Sequence, residues 1–352
     1  RRVLFRSETL RMNQPQDMHV DEGGRIYVLD TGNARIAVLD GQGNLLREFR
    51  VEESPLSQPQ GIFVTGEGDI YVADTGNRRV VRLDAEGRFV REYPRPESPL
   101  LPADFQYEPV KVAADGRGFL YIVSRGSYRG LVQLDAEGNF HSFFAGNRTE
   151  ITLFEMVKRM LYTEEQLSRE VRVLPDAISN VEIDGTGFVY TTTSGAGSEQ
   201  LKKFNFAGVN RLPEKTYGET PERQRNAADP ADVTVHPDGF MTIVDRHSNT
   251  FSHYDPQGNL LFYWRGVEQP GSVRAGVPQS VSALGNDGGH TLYALDPSQN
   301  LIHVYRLSAF GRLVHEAVRL TLDGRYAESE PLWREAARLN ADRKSTRLNS
   351  SH

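Results

Sequence analysis

Short runs in which apolar and polar residues alternate dominate the first two thirds of the chain. Arg25-Ile-Tyr-Val-Leu29 has a period of two and is rich in β-formers, the pattern of a half-buried strand. Turn-forming residues punctuate these runs. Tyr27–Arg35 reads Tyr-Val-Leu-Asp-Thr-Gly-Asn-Ala-Arg, and 44 residues later Tyr71–Arg79 reads Tyr-Val-Ala-Asp-Thr-Gly-Asn-Arg-Arg. The Asp accepts backbone N–H groups two residues on, while Gly and Asn tolerate a positive φ. Each copy is followed by an apolar run, an Asp-x-x-Gly turn (Asp40–Gly43, Asp84–Gly87) and a second apolar run (Leu45–Phe49, Phe89–Tyr93). A repeat of this length made of short strands marks a β-propeller or a similar array.

The pattern decays but continues. Tyr121-Ile-Val-Ser, Phe188-Val-Tyr-Thr, Thr242-Ile-Val-Asp245 and Leu292-Tyr-Ala-Leu-Asp296 open four further units, and Pro15, Pro59, Pro109, Pro230 and Pro278 introduce inner strands. Six units of four strands predict a mainly β, six-bladed propeller over residues 8–308. Residues 149–174 break the rhythm with helical spacing at Leu153, Phe154, Val157, Met160 and Leu161, and Thr163 with Gln166 forms a capping box. A helical insertion over 149–175 between blades three and four is expected, either packed on the propeller or serving as a lid or docking element. Phe310–Leu322 and Tyr326–Leu339 read as two amphipathic helices around Asp323-Gly-Arg, placing a helical pair over 309–341.

The Tyr-Val-Ala-Asp-Thr-Gly-Asn-x-Arg string resembles the motif of the NHL-repeat family, closely in the first two units and loosely in the later four. The resemblance spans roughly Asn13 to Arg306. The run from Asp323 through Trp333-Arg-Glu-Ala-Ala to Asn340 resembles one tetratricopeptide repeat. A single helix pair cannot bury its own face, so more helices are expected to follow. A propeller of this type joined to such helices resembles a group of bacterial proteins with a signal peptide and membrane helices. That resemblance implies an extracytoplasmic, membrane-associated setting, with the membrane reached only through segments beyond this sequence.

The two ends read differently from the rest. Residues 1–7 and 342–352 back-translate to one oligonucleotide on opposite strands, similar to a sequencing adapter, and are expected to lie outside the native protein. They carry net charges of +3 and +2, so setting them aside moves the formal charge from −6 to −11. Such acidity argues against nucleic acid as an electrostatic partner. By repeat spacing, the slot for the last strand of blade six falls on residues 1–5, and the native closing strand is expected upstream of them. The chain has no cysteine, hence no disulfide or thiolate chemistry.

Candidate chemistry centres on a ring. Counting two residues on from each proline, or ten back from each Tyr-Val strand, gives Asp17, Gly61, Lys111, Asn180, Asp232 and Ser280 at the start of the innermost strands. Asp17, Asn180 and Asp232 offer hard oxygen ligands of the kind calcium or another divalent cation takes. A carboxylate, amide, carboxylate set is similar to the metal site of six-bladed gluconolactonase-type lactonases. Lys111 places a cation in the same ring, which equally fits a channel of mutually paired polar groups. His19 and His236 lie near the ends of inner strands and His247 in a turn. Zinc-dependent amidating lyases on this fold use several channel histidines, but a zinc site needs three or four ligands and no His-x-x-x-His pair occurs.

The repeated Asp30/Asn33/Arg35 and Asp74/Asn77/Arg79 sets read as turn chemistry, and Phe262, Tyr263 and Trp264 as packing between blades. The function expected is a binding or scaffolding propeller without catalysis or cofactor, taking a protein or small polar ligand on one face. The alternative is a metal-dependent lactonase-like hydrolase.

Overall fold

A computed structural model describes residues 2–5, 11–102, 104–126, 128–146, 176–218, 228–265 and 278–349. The expected insertion at 149–174 lies outside them. The chain starts in β1 (Arg2–Phe5). Blade one follows as β2 (Asp17–Val20), β3 (Ile26–Asp30), β4 (Arg35–Leu39) and β5 (Leu45–Phe49). Blade two is β6 (Gly61–Val64), β7 (Ile70–Asp74), β8 (Arg79–Leu83) and β9 (Phe89–Tyr93). Blade three is β10 (Pro109–Ala114), β11 (Leu120–Ser124), β12 (Leu131–Leu134) and β13 (Phe140–Phe144). Blade four shows β14 (Ile178–Ile183), β15 (Val189–Thr193) and β16 (Leu201–Phe204). Blade five is β17 (Pro230–Val235), β18 (Met241–Asp245), β19 (Thr250–Tyr254) and β20 (Leu260–Arg265). Blade six is β21 (Ala283–Asn286), β22 (Thr291–Asp296) and β23 (Leu301–Arg306).

Each blade is an antiparallel meander whose strands pair in sequence order. Strand β1 completes blade six by pairing antiparallel with β23, Arg2 opposite Tyr305 and Phe5 opposite Ile302. The first strand of the chain thus closes the circle against the last and covers the edge of β23. This is the slot that repeat spacing assigned to residues 1–5. Middle strands such as β3, β7, β11 and β18 are buried at every position, because both of their faces pack on neighbouring blades. Outer strands β5 and β9 alternate exposed and half-buried residues.

The repeated motif is a set of fasteners. Asp30 is fully buried; its Oδ1 accepts the Asn13 N–H at 2.7 Å, and its Oδ2 accepts Asn33 Nδ2 and Arg35 Nε, each at 2.8 Å. Asp74 repeats this with Ser57, Asn77 and Arg79. Buried carboxylates demand such partners, and two amide-type donors plus a guanidinium supply them. Thr31 Oγ1 donates to the Pro59 carbonyl of the next blade at 2.8 Å, and Thr75 Oγ1 to the Pro109 carbonyl at 2.6 Å. Gly32 and Gly76 are glycine because a Cβ there would sit 2.6 Å from Asn13 and 2.5 Å from Ser57. The variable position, Ala34 or Arg78, is left-handed at φ 49° or 56°. Where the motif decays, Ser124 Oγ still accepts the Glu108 N–H, Asp245 the Asp229 N–H and Asp296 the Gln279 N–H.

Two helices follow, α1 (Ala309–Leu322) and α2 (Tyr326–Asn349). Ser308 caps the first by accepting the Gly311 N–H at 3.2 Å, and Gly324 at φ +74° ends it. Helix α2 runs ten residues past the expected Leu339 boundary. Val314, Val318 and Ala336 pack with Phe240 of blade five, so the helical pair is docked on the propeller.

Candidate functional site: the channel ring and a histidine pair

Strand register puts five of the six expected ring residues at equivalent places. Asp17, Gly61, Lys111, Asn180 and Asp232 each stand opposite the second residue after the tyrosine position of the neighbouring strand. The sixth expectation, Ser280, is corrected to Ala283, which pairs with Leu295. Three extra residues separate Pro278 from its strand, so the proline count slips in blade six while the tyrosine count holds.

The ring is bonded to itself. Lys111 Nζ donates to Asp17 Oδ1 at 2.6 Å, joining blade three to blade one. Asp17 Oδ2 accepts the Ile62 N–H of blade two at 2.8 Å. Asn180 Nδ2 donates to Asp232 Oδ1, joining blades four and five. Asp232 Oδ2 accepts the Leu284 N–H of blade six at 2.6 Å. Gly61 is required in this ring because a Cβ would fall 2.6 Å from the Val110 carbonyl oxygen. The metal set expected from Asp17, Asn180 and Asp232 is therefore arranged differently: Asn180 turns its amide nitrogen, a donor, to Asp232, and Asp17 faces an ammonium. Among the described residues, no group of three or more His, Asp or Glu is placed to hold a metal ion.

Electrostatics in the ring are uneven. Burial pushes Asp17 upward, and Lys111 opposes the shift. Burial works against the charge on Lys111, yet Asp17 and then Asp232 overcome it and hold the ammonium charged. Asp232 is pushed up to about 7, by burial first, against the pull of Lys111. Glu182, on the same inner strand as Asn180, is pushed up to about 8 by burial and by Asp232. One cation thus serves three carboxyl groups, and Glu182 carries a proton at neutral pH. Glu182 stands opposite Tyr190 as His19 stands opposite Tyr27, so the two occupy equivalent places on their inner strands. His19 sits edge-on to Phe63 at 5.0 Å, and burial lowers it to about 4, leaving it neutral.

His236 lies away from the ring interactions: Nε2 meets the Gly289 carbonyl at 2.9 Å and Nδ1 accepts the Asp238 N–H at 3.1 Å. It neighbours a pair that sequence reading missed. His253 Nε2 and His315 Nε2 are 2.7 Å apart, with ring planes within 7°, so one proton is shared edge to edge between β19 and α1. Thr242 Oγ1 meets His253 Nδ1 at 2.8 Å. Phe240 stacks on His315 at 3.9 Å. Burial lowers His253 to about 3 and His315 to about 4, so both are neutral near pH 7. The residues are 62 apart in sequence, and only the docking of α1 brings them together.

Residues 12–39 and 56–83 match the NHL repeat family. The first two blades are NHL repeats. No curated protein matches the chain in sequence. Among solved structures, a streptogramin B lyase superimposes with a TM-score of 0.52 at 17% identity, covering 88% of each chain. A virginiamycin B lyase from Staphylococcus aureus gives 0.51 at 12%, covering 88% of this chain and 89% of that one. The Cps50 (Swd1) β-propeller domain of Myceliophteria thermophila gives 0.56 at 8%, covering 87% and 100%. At these identities the likeness is one of fold, and propellers host unrelated functions.

Proposed function

We propose that the chain is a non-catalytic binding and scaffolding propeller. The observation that carries this is the saturation of the channel: each polar ring residue is committed to another blade, through Lys111–Asp17, Asn180–Asp232 and the two carboxylate-to-backbone bonds. Such a ring fixes blade geometry and leaves recognition of a protein or small polar ligand to the loops of the propeller faces. The docked helices, read as tetratricopeptide-like, extend the scaffold. The formal charge of −6 supports a partner other than nucleic acid. We extend the reading to an extracytoplasmic, membrane-associated setting by resemblance; no described helix is long and apolar enough to cross a membrane.

A second reading, a lactonase-like hydrolase with a divalent cation, draws support from the excess of carboxyl groups over cations around Asp17, Asp232 and Glu182. A lactone-hydrolysis screen with and without calcium separates the two. Scaffolding predicts no turnover above buffer. Calcium-dependent turnover lost in Asp17→Ala and Asp232→Ala would replace it with the hydrolase.

A further inference from the structure

A cavity of about 340 Å³ opens where blades five and six meet the start of α1, and none of Asp17, Lys111, Asn180 and Asp232 lines it. Its size falls in the range of small-molecule sites, and Phe240, Phe262, Trp264, Tyr305 and Phe310 give it aromatic walls of the kind such sites use. Phe262 stacks on His253 at 4.8 Å, and Trp264 lies nearly parallel to Phe251 at 5.1 Å. Flat apolar walls of this kind favour a flat apolar guest.

The permanent charge around the cavity is of one sign. Among the described residues no Asp or Glu lines it, while Arg306 does. The first residues of the 14-residue helix α1 also line the cavity, and no acidic side chain occupies its first turn, so the positive end of the helix adds to the same potential.

We propose that this cavity binds a small aromatic carboxylate, its ring against the aromatic side chains and its carboxylate toward Arg306 beside the start of α1. Guanidinium and carboxylate match in shape as well as charge. The site is separate from the channel ring, so its test does not depend on what the ring does.

The test is binding of 2-naphthoate to the full chain, by calorimetry and by tryptophan fluorescence. The sequence contains two tryptophans, so Trp333→Phe leaves Trp264 as the sole reporter. The expected result is saturable micromolar binding with quenching of Trp264, weakened about tenfold or more in Arg306→Ala and less in Arg306→Lys, which keeps the charge but not the fork. The cationic 2-naphthylmethylamine is expected not to bind. Near-ultraviolet circular dichroism of each variant confirms the fold. Absence of saturable binding to the wild-type chain would overturn the proposal. So would equal affinity in a folded Arg306→Ala variant, or equal affinity for the amine.

Discussion

Lys111 of blade three reaches past blade two to donate to Asp17 of blade one at 2.6 Å. Asp17 is buried and the lysine nearly so, with 5% and 14% of their side chains exposed, so neither charge can return to water if its partner is lost. Replacing Lys111 with Met leaves a buried carboxylate unpaired and is expected to cost about 3–5 kcal/mol in urea unfolding. The double variant Lys111→Met, Asp17→Asn is expected to recover a large part of that loss. Recovery follows because a neutral amide can still accept the Ile62 N–H.

The fasteners of the repeated motif make graded predictions. Thr75→Val removes the bond to the Pro109 carbonyl and should cost about 1 kcal/mol. Gly76→Ala drives a Cβ to 2.5 Å from Ser57 Oγ and 2.6 Å from its backbone oxygen. It should cost about 2–3 kcal/mol, as overpacking against backbone does. Gly116→Ala, with open space around its Cβ, is the control and should be nearly neutral. Thermal melts of the three variants check the order.

These fasteners were largely legible in the sequence, because each residue type in Asp-Thr-Gly-Asn-x-Arg has one physical job that repeats with the blade. Asp17, Lys111, Asn180 and Asp232 were legible as ring members for the same reason: a fixed offset from the tyrosine strand fixes the register. Their bonding was not. A sequence offset says which residues enter the channel, not that Asn180 presents nitrogen to Asp232, or that the lysine crosses blade two rather than pairing with Asp232. Ser280 was misplaced because proline spacing is looser than strand register. The His253–His315 contact left no local signal, since it depends on how a C-terminal helix docks on blade five.

Glu182 makes stability depend on pH. Its native pKa of about 8 lies above the ordinary carboxylate value of 4.5, so the folded state holds this proton more tightly than the unfolded chain. Its contribution is fully present below about 4.5 and is lost as pH rises through about 8. Glu182→Gln, which stays neutral, should raise stability by on the order of 4 kcal/mol at pH 8.5 and change it little at pH 4.5. Urea titrations at the two pH values check the crossover.

The histidine pair has the opposite sign. His253 and His315 sit at about 3 and 4, below the unfolded value of 6.5, so their contribution is full above 6.5 and fades as pH falls toward 4. Like charge at His236 and His290 adds to the repulsion, and Asp238 partly offsets it. Amide protection factors in α1, taken relative to intrinsic exchange rates, should therefore fall between pH 6.5 and 4.5 more than those in β3. His315→Gln should flatten that difference.

The central claim is that the channel ring is a closing device whose positive charge is Lys111. Calorimetric titration of the full chain with calcium and with zinc tests it most directly. The account expects no saturable heat from the channel, and unchanged traces in Asp17→Ala and Asp232→Ala. Micromolar binding to the wild-type chain that disappears in both variants would contradict it and assign the ring to a metal.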